Sequence, residues 1–313
     1  MQLMPVVKGA LTWVPGVMAL KGIRPTGGST TADYCYGVWM KHLVLLADAG
    51  MSRIPTTVAE AGPGDSLGTG IAALLCGARH CLALDVVRIA PRERNLAIFD
   101  ELVRLFRQRA PRPRRGWPDF DALLEPDLFP HRILGDALLE QSLDPARLAA
   151  IRAEIDAGIP GGPDAFIRYR VPWGVPEPAE AGTADLVISH SVMEHVDDVD
   201  ALHRACAAWL KPGGWFSHQI DFTDHGITGQ WNGHLAYPDA AWKLVRGRRP
   251  FLLNRVQLSQ HVESMEKSGL VVRRLMRNER QDGLRREQLA PRFRAFGDQD
   301  LRCRGALVQG TRP

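Results

Sequence analysis

The sequence predicts an α/β fold in which helices pack on a parallel β-sheet. Two observations carry this prediction. From Val58 onward, short apolar runs alternate with amphipathic helical stretches, which is the pattern of parallel strands joined by helices. Two of these runs also have an acidic residue at or near their end, Glu60 and Asp85. With 313 residues, of which 45% are hydrophobic, the chain can bury a substantial core.

Composition excludes several classes of protein. Charged residues make up 24% of the chain, with 30 Gly and 22 Pro, which rules out collagen-like, coiled-coil and wholly disordered chains. The five cysteines are scattered and form no CxxC pair, so we expect neither a disulfide framework nor a structural zinc site. The net charge of +4 comes mainly from arginine and is too small to indicate a nucleic-acid coat protein.

The first twenty residues are apolar but are interrupted by Lys8, Pro15 and Gly16. They lack a basic n-region, and a helix needs about 20 uninterrupted apolar residues to span a bilayer. We therefore expect no signal peptide, no membrane span and a cytoplasmic location.

Residues 1–55 are predicted to form an N-terminal helical cap, and residues 56–313 the main domain. In the cap, a turn is expected at Pro25-Thr26-Gly27-Gly28, followed by an amphipathic helix from Tyr34 to Ala49. The apolar runs of the main domain predict seven strands. These are Thr57–Ala61, Cys81–Asp85, Phe166–Val171, Asp185–Ser189, Trp215–Phe222, Leu270–Arg274 and Cys303–Gln309.

The connection between the second and third predicted strands is unusually long. Residues 86–165 contain a helix from Leu96 to Arg109, a proline- and arginine-rich joint at residues 111–115, and a further helical stretch from Pro145 to Ala157. A connection of this length predicts an inserted helical subdomain or a lid.

The first predicted strand runs into a glycine-rich turn at Glu60-Ala61-Gly62-Pro63-Gly64. Glycines are required where a backbone turns sharply and approaches a ligand, because a Cβ would collide. No Gly-Lys-Ser/Thr follows, which excludes a P-loop, and Leu67 stands where the NAD fingerprint requires its third glycine. The pattern that remains is an acidic residue followed by two glycines, with one residue between each of them.

Asp85 ends the next predicted strand, 21 residues after Gly64. Dinucleotide and nucleoside folds place an acid at this point, where its carboxylate accepts hydrogen bonds from the ribose hydroxyls. Together, Glu60, Gly62, Gly64 and Asp85 predict a nucleoside-binding site.

With these residues in place, the chain resembles the class I S-adenosylmethionine-dependent methyltransferases. Glu60 to Gly64 is similar to the first motif of that family, and Leu84-Asp85 to the second. Residues 184–189 with Val192-Met193-Glu194-His195-Val196 resemble its fourth strand and the "lEHv" sequence after it. Residues 209–215 resemble the "LkPGG" turn into its fifth strand. The similarity spans about residues 57–222 and keeps the family's order.

The resemblance implies a Rossmann-like sheet of seven strands in the order 3-2-1-4-5-7-6, with helices on both faces and the seventh strand antiparallel. It implies S-adenosylmethionine as cofactor, with Glu60, Gly62 and Gly64 along the methionine moiety and Asp85 on the ribose. Ser191 would lie beside the sulfonium. The family often has a third glycine where this chain has Ser66, whose side chain is available to cap the following helix. Candidate adenine contacts are Arg170 and Trp173.

Methyl transfer to a hydroxyl needs a group that accepts one proton, and histidine suits this role. Asp221, Asp224 and His225 lie at the carboxyl end of the fifth predicted strand, which is the ligand side of such a sheet. We predict that His225 is the general base and that Asp221 or Asp224 orients it. The alternative is that Asp224-His225-Gly226 forms only a polar turn. His190 and His195 flank the loop after the fourth predicted strand and are further candidates.

Aromatic and polar residues follow at Trp231-Asn232-Gly233-His234. Such mixtures stack on rings while bonding hydroxyls, so Trp231, Asn232 and His234 are predicted to bind the acceptor; the alternative is that the aromatics pack the C-terminal half. Asp221, Asp224, His225 and His234 match no metal motif, and no metal is predicted.

The sequence thus predicts a methyltransferase that transfers the methyl group to an oxygen atom of a small molecule or glycan. A catalytically idle nucleoside-fold protein is the opposing hypothesis. A nucleic-acid methyltransferase is less favoured because Ser189-His190-Ser191-Val192 replaces the Asn/Asp-Pro-Pro-aromatic sequence used on base amines. The oligomeric state does not follow from the sequence.

Overall fold

The structure, a computed structural model, describes residues 2–16, 28–113 and 128–313. Seven strands form one sheet in the order β3-β2-β1-β4-β5-β7-β6. The strands are β1 (Thr57–Ala61), β2 (His80–Leu84), β3 (Ile167–Arg170), β4 (Ala184–His190), β5 (Leu210–Asp221), β6 (Val271–Glu279) and β7 (Cys303–Thr311). β7 runs antiparallel to both of its neighbours, and the remaining pairs are parallel. The predicted fold class and strand order are confirmed.

Helices cover both faces of this sheet. In chain order, the helices of the described residues are α1 (Met4–Ala10), α2 (Ala32–Asp48), α3 (Gly68–Leu75), α4 (Arg92–Arg107), α5 (Asp136–Ser142), α6 (Pro145–Asp156), α7 (Val199–Trp209), α8 (Asp239–Arg246), α9 (Leu258–Lys267) and α10 (Asp298–Leu301). Successive side chains of a strand point to opposite faces. Val58 therefore packs in a core with α2, α3 and α4, whereas Ala59 packs in a second core with α7 and α9.

Thr31 caps the N-terminus of the cap helix α2, because its side chain accepts a hydrogen bond from the Tyr34 N–H. Its Cys35 lies so close to α3 that a Cβ at Gly68 would be 2.4 Å from the cysteine sulfur. This close approach packs α2 directly against α3. The predicted turn at Pro25 to Gly28 lies almost wholly outside the described residues.

Within the long connection after β2, α4 packs on α3 and α6. Its apolar residues, among them Phe99, Leu102 and Phe106, are buried in the same core as α2. Part of the arginine-rich joint, Arg114 and Arg115, lies outside the described residues. The division of the chain into a cap, a main domain and an insert stays a prediction.

β5 begins five residues before the predicted Trp215. Leu210 pairs with Ala184 of β4, and the pairing shifts register before Trp215 pairs with Leu186. An ion pair between Lys211 and Asp185 (2.8 Å) closes the same end of the two strands. The "LkPGG" turn is therefore part of an irregular strand.

Candidate active site

A cavity of about 390 Å³ opens at the carboxyl ends of β1, β2 and β4, within the usual size of a small-molecule site. The glycine loop, the loops after β2 and β4, helix α2 and the segment after α8 supply its walls. Five residues predicted to bind the methionine and ribose parts of the cofactor line it, namely Glu60, Gly62, Gly64, Asp85 and Ser191. The fold brings these five residues together, although they are as far apart in the sequence as positions 60 and 191.

The glycine loop fits closely against the loop after β4. Gly62 has φ of +70°, and a Cβ there would be 2.6 Å from both γ-methyl groups of Val192. Gly64 has φ of +71°, and its N–H donates a hydrogen bond to Asp85 Oδ2 (3.3 Å). Both positions require the left-handed conformation that glycine adopts without strain.

Glu60 is buried beneath this loop, and its carboxylate accepts a hydrogen bond from the Gly70 N–H (3.1 Å) in the first turn of α3. Burial raises the pKa of Glu60 to about 7, because desolvation disfavours the charged form. The carboxylate is therefore held close to the N-terminus of α3, at a point where a cationic ligand group would favour its ionisation.

Asp85 lies at the end of β2, where its Oδ1 accepts a hydrogen bond from the Val86 N–H (2.7 Å). Burial raises the pKa of Asp85 above its ordinary value. Trp173 donates its backbone N–H to the Asp85 carbonyl (3.0 Å) and lines the cavity beside Val86. Arg170, the other candidate for the adenine, pairs with Glu180 instead and does not line the cavity.

Ser66 stands where the family often has a third glycine, and it is fully buried. Its hydroxyl accepts a hydrogen bond from the Gly68 N–H (3.2 Å), the first residue of α3. Its own N–H donates to the Ser29 hydroxyl (3.1 Å). The serine thus satisfies a backbone donor at the start of the helix, as a capping side chain does.

Ser191 follows β4 with φ of +53°, an uncommon conformation for a residue with a side chain. Its hydroxyl donates to Gln219 Oε1 (2.8 Å), and its N–H donates to the Gln219 carbonyl (3.1 Å). Strain of this kind is found at sites where the surrounding structure fixes a functional loop. Two bonds to β5 hold Ser191 at the cavity wall.

A chain of polar side chains, which the sequence reasoning did not identify, reaches the same wall from the cap. His42 of α2 contacts His190 (Nε2 to Nδ1, 3.4 Å) and Ser217 (Nδ1 to Oγ, 2.7 Å). Gln309 of β7 donates to the same Ser217 hydroxyl (2.9 Å). Burial lowers the pKa of His42 to about 3, so this imidazole is neutral. Tyr34, also from α2, lines the cavity beside His190.

Beside the cavity, Glu194, His195 and His225 each place a side-chain N or O atom within 4.8 Å of the others. His195 lines the cavity, and its ring centroid is 5.1 Å from that of His225. Burial lowers the pKa of His195 to about 4 and raises that of Glu194. His225 Nε2 lies 3.4 Å from Asp221 Oδ2, so the predicted base and one predicted orienting carboxylate are neighbours.

Asp224, the second predicted orienting residue, faces its own loop. Its carboxylate accepts hydrogen bonds from the Gly226 N–H (2.8 Å) and from the N–H of Thr228 (2.6 Å). The Thr228 hydroxyl donates to it as well. These contacts shape the turn that carries His225.

Trp231, Asn232 and His234 do not line the cavity. Asn232 exchanges two hydrogen bonds with the backbone of Leu284 (3.1 and 2.8 Å), and its side chain is buried. His234 is also buried, with its ring 6.2 Å from that of Trp242. Acceptor binding by these three residues stays a prediction.

The donor set of the cavity fits S-adenosylmethionine. Asp85 and the apolar wall formed by Val86, Ile89 and Trp173 suit a nucleoside, and a side chain at Gly62 would fill the loop that approaches it. The fold and this site together define a Rossmann-like protein that binds a nucleoside cofactor.

Comparison with known proteins agrees with this class. The chain matches the family described as "Methyltransferase domain" over residues 68–274, more than half of its length. It is 36% identical over 84 residues to the ubiquinone biosynthesis O-methyltransferase of Bordetella avium (strain 197N). That match covers 26% of this chain and 31% of the relative, so the chain spans less than a third of the relative's length.

Among solved structures, the chain is similar to an S-adenosylmethionine-dependent methyltransferase from Mesorhizobium loti (14% identity, 91% of this chain and all of that one, TM-score 0.42). It is also similar to the geranyl diphosphate C-methyltransferase from Streptomyces coelicolor A3(2) (15% identity, 89% and 78% of the two chains, TM-score 0.44).

The chain belongs to the methyltransferase-domain family. The resemblance seen in the sequence is therefore confirmed, and S-adenosylmethionine is the cofactor that goes with this family. Among residues 2–16, 28–113 and 128–313, no helix has the length and apolar character needed to cross a membrane.

Proposed function

We propose that this protein transfers a methyl group from S-adenosylmethionine to a hydroxyl of a small molecule, with His225 as the general base. The observation that carries the proposal is the position of the Asp221–His225 pair. It lies at the carboxyl end of β5, and His225 contacts His195 of the cavity wall.

Four residues of the cavity are assigned to bind the cofactor. Gly62 and Gly64 let the backbone approach the methionine moiety, Glu60 offers a carboxylate to its ammonium group, and Asp85 accepts hydrogen bonds from the ribose hydroxyls. When bound, S-adenosylmethionine supplies an electrophilic methyl group for in-line displacement. The protein contributes proximity and orientation, which lower the barrier by fixing the reacting groups in advance.

The acceptor hydroxyl must lose one proton. Although burial opposes its ionisation, hydrogen bonds from His225 and Thr223 hold the pKa of Asp221 below its ordinary value. In the neutral form of the His225 ring, an N–H at Nε2 that is donated to the ionised Asp221 leaves Nδ1 as the nitrogen without a proton. We assign Nδ1 of His225 as the atom that takes the proton from the acceptor.

The acceptor class is supported by the shape and lining of the cavity. Tyr34, Val38, His195 and Phe251 also line the cavity, and this mixture of apolar and imidazole groups suits a small hydroxylated molecule. A glycan is the second candidate. The curated relative is named for O-methylation in ubiquinone biosynthesis, which favours oxygen as the acceptor atom.

A nucleic-acid acceptor is less favoured by the surface charges. Several arginines that the sequence groups near the C-terminus are neutralised by acidic neighbours. Arg280 pairs with Asp282, and Arg286 and Arg302 both pair with Asp298. Paired guanidinium groups offer little to a phosphate backbone.

Titration calorimetry with S-adenosylmethionine, followed by turnover with a panel of small alcohols, phenols and glycans, tests the proposal. His225→Ala should lower turnover by roughly a hundredfold or more while leaving cofactor affinity unchanged. The exposed His131→Ala is the matched control and should leave both quantities unchanged.

Three results would contradict the proposal. Unchanged turnover in His225→Ala removes this residue from the mechanism. Loss of turnover on chelation, restored by a divalent cation, instead assigns Glu194, His195 and His225 to a metal ion. Cofactor binding without turnover of any acceptor favours the idle binding protein.

A further inference from the structure

Helix α1 and the turn after it carry an apolar face that is turned outward. Six large apolar side chains between residues 3 and 14 are 50–72% exposed: Leu3, Met4, Val7, Leu11, Trp13 and Val14. The spacing of positions 3, 4, 7 and 11 places four of them on one side of the helix. In a globular protein such a stripe is normally turned toward the core.

The opposite side of α1 is fixed to α8. A Cβ at Gly9 would be 2.0 Å from the Leu244 carbonyl oxygen, so the two backbones are in direct contact. The Thr12 hydroxyl donates to the Gly9 carbonyl (2.6 Å) and accepts the Arg248 N–H (2.7 Å). The outward direction of the apolar face is therefore set by close packing of small residues behind it.

The charged residues of α1 and of residues 243–251 are all positive, and Arg246 among them pairs with Asp197 (2.5 Å). The first acidic residue of the chain is Asp33, whereas Lys8, Lys243 and Arg248 are all exposed beside the apolar side chains. The one acid within residues 239–251 is Asp239, which already pairs with two arginines.

An aromatic–cation pair lies in the same place. The Arg248 guanidinium lies over the Trp13 ring, 5.2 Å from its centroid. Tryptophan and cations with apolar stems are enriched where protein meets the boundary between lipid headgroups and acyl chains, because each has one apolar and one polar part.

The face continues to the mouth of the cavity. Leu244 and Phe251 add two further exposed apolar side chains at and just after α8. Phe251 and Arg246 also line the cavity. The apolar face and the cavity entrance therefore share residues.

We propose that the α1–α8 face (residues 3–14 and 243–251) docks on a membrane surface that carries anionic lipids. The apolar stripe enters the headgroup boundary, and Lys8, Lys243 and Arg248 face the lipid phosphates. A helix that docks in this way lies in the plane of the membrane, so no membrane-spanning helix is needed. The proposal does not depend on the identity of the methyl acceptor.

Co-sedimentation with vesicles tests it. We expect the protein to bind vesicles containing about one third phosphatidylglycerol in phosphatidylcholine, and to bind pure phosphatidylcholine at least tenfold more weakly, since each cation near an anionic surface contributes roughly fivefold. The double variant Val7→Asp/Leu11→Asp should lose at least tenfold in affinity for the mixed vesicles.

The matched control is Val271→Asp, an exposed valine (43%) at the opposite end of the sheet, which should bind vesicles normally. A second variant, Lys8→Glu/Lys243→Glu, keeps the apolar stripe. It should bind the mixed vesicles more weakly than the native protein does, whereas its weak binding to pure phosphatidylcholine should be unchanged. Thermal unfolding and S-adenosylmethionine affinity are measured for every variant. Both should be unchanged, which separates a docking defect from a failure to fold or to bind cofactor.

Two results would overturn the proposal. The first is equal binding of the native protein and Val7→Asp/Leu11→Asp to mixed vesicles, or no binding by either. The second is a dimer of the native protein that the double variant abolishes in analytical ultracentrifugation while vesicles stay unbound. That result would assign the face to contact between two copies of the chain.

Discussion

A methyl group added at Gly62 is the sharpest perturbation of the cofactor loop. Gly62→Ala places a Cβ 2.6 Å from both γ-methyl groups of Val192, in a residue whose φ is +70°. Contacts this short require Val192 or the glycine loop to move. Because both line the cavity, either movement changes the space in which S-adenosylmethionine must fit.

The expected loss of stability has two parts. An L-residue in the left-handed conformation costs about 1–2 kcal/mol, and the clash with Val192 adds about 1–3 kcal/mol of overpacking. Gly158→Ala isolates the first part, because Gly158 has φ of +80° but nothing within 4 Å of a Cβ. Gly62→Ala should therefore lower the free energy of unfolding by about 2–5 kcal/mol, and Gly158→Ala by about 1–2 kcal/mol.

Denaturant unfolding gives the two free energies, and titration calorimetry gives the cofactor affinity. We expect Gly62→Ala to weaken S-adenosylmethionine binding at least tenfold and Gly158→Ala to leave it unchanged. Adding Val192→Ala to Gly62→Ala should recover part of the stability by removing the clashing methyl groups. Cofactor binding within twofold of the native value in Gly62→Ala would show that the backbone at Gly62 does not approach the cofactor.

Two further predictions concern the acidic residues of the site. Asp85→Ala should abolish measurable S-adenosylmethionine binding in the same titration, since the carboxylate that holds the ribose is lost; unaffected binding would show that the ribose lies elsewhere. Glu60→Gln should change how stability depends on pH. Burial raises the pKa of Glu60 from 4.5 to about 7, so the folded protein keeps this proton where the unfolded chain releases it, and native stability falls as pH rises from about 4.5 to about 7. Glutamine stays neutral, so the free energy of unfolding of Glu60→Gln should rise relative to that of the native protein by up to about 3 kcal/mol between pH 4.5 and pH 8. Denaturant unfolding without cofactor measures this difference. A difference that does not change with pH would contradict the prediction.

The cofactor side of the site could be predicted because its signals are local. Glu60, Gly62, Gly64 and Asp85 each stand at the end of a strand, and the strands themselves are visible as apolar runs. Parallel topology then brings the strand ends together without any knowledge of side-chain contacts. All four residues line the cavity.

The walls that α2 and the segment after α8 supply could not be predicted, because they depend on contacts between distant parts of the chain. His42 meets His190 across 148 positions, and Phe251 reaches the cavity from beyond α8. Helical periodicity shows that a residue in α2 is buried but not which loop it faces. For the same reason, the contacts of Asn232 with the backbone of Leu284 and of His234 with the ring of Trp242 could not be read from their local pattern.

The position of β7 between β5 and β6 has a consequence for synthesis of the protein on the ribosome. β5 ends at Asp221, and its partner β7 starts only at Cys303. At translation rates of about 5–20 residues per second, the outer edge of β5 is unpaired for roughly 4–16 seconds. During that time the glycine loop and Asp85 have already emerged, but Gln309 has not yet reached Ser217. An exposed strand edge is a site of aggregation, so a chaperone that shields nascent chains should raise the yield of this protein most during that interval.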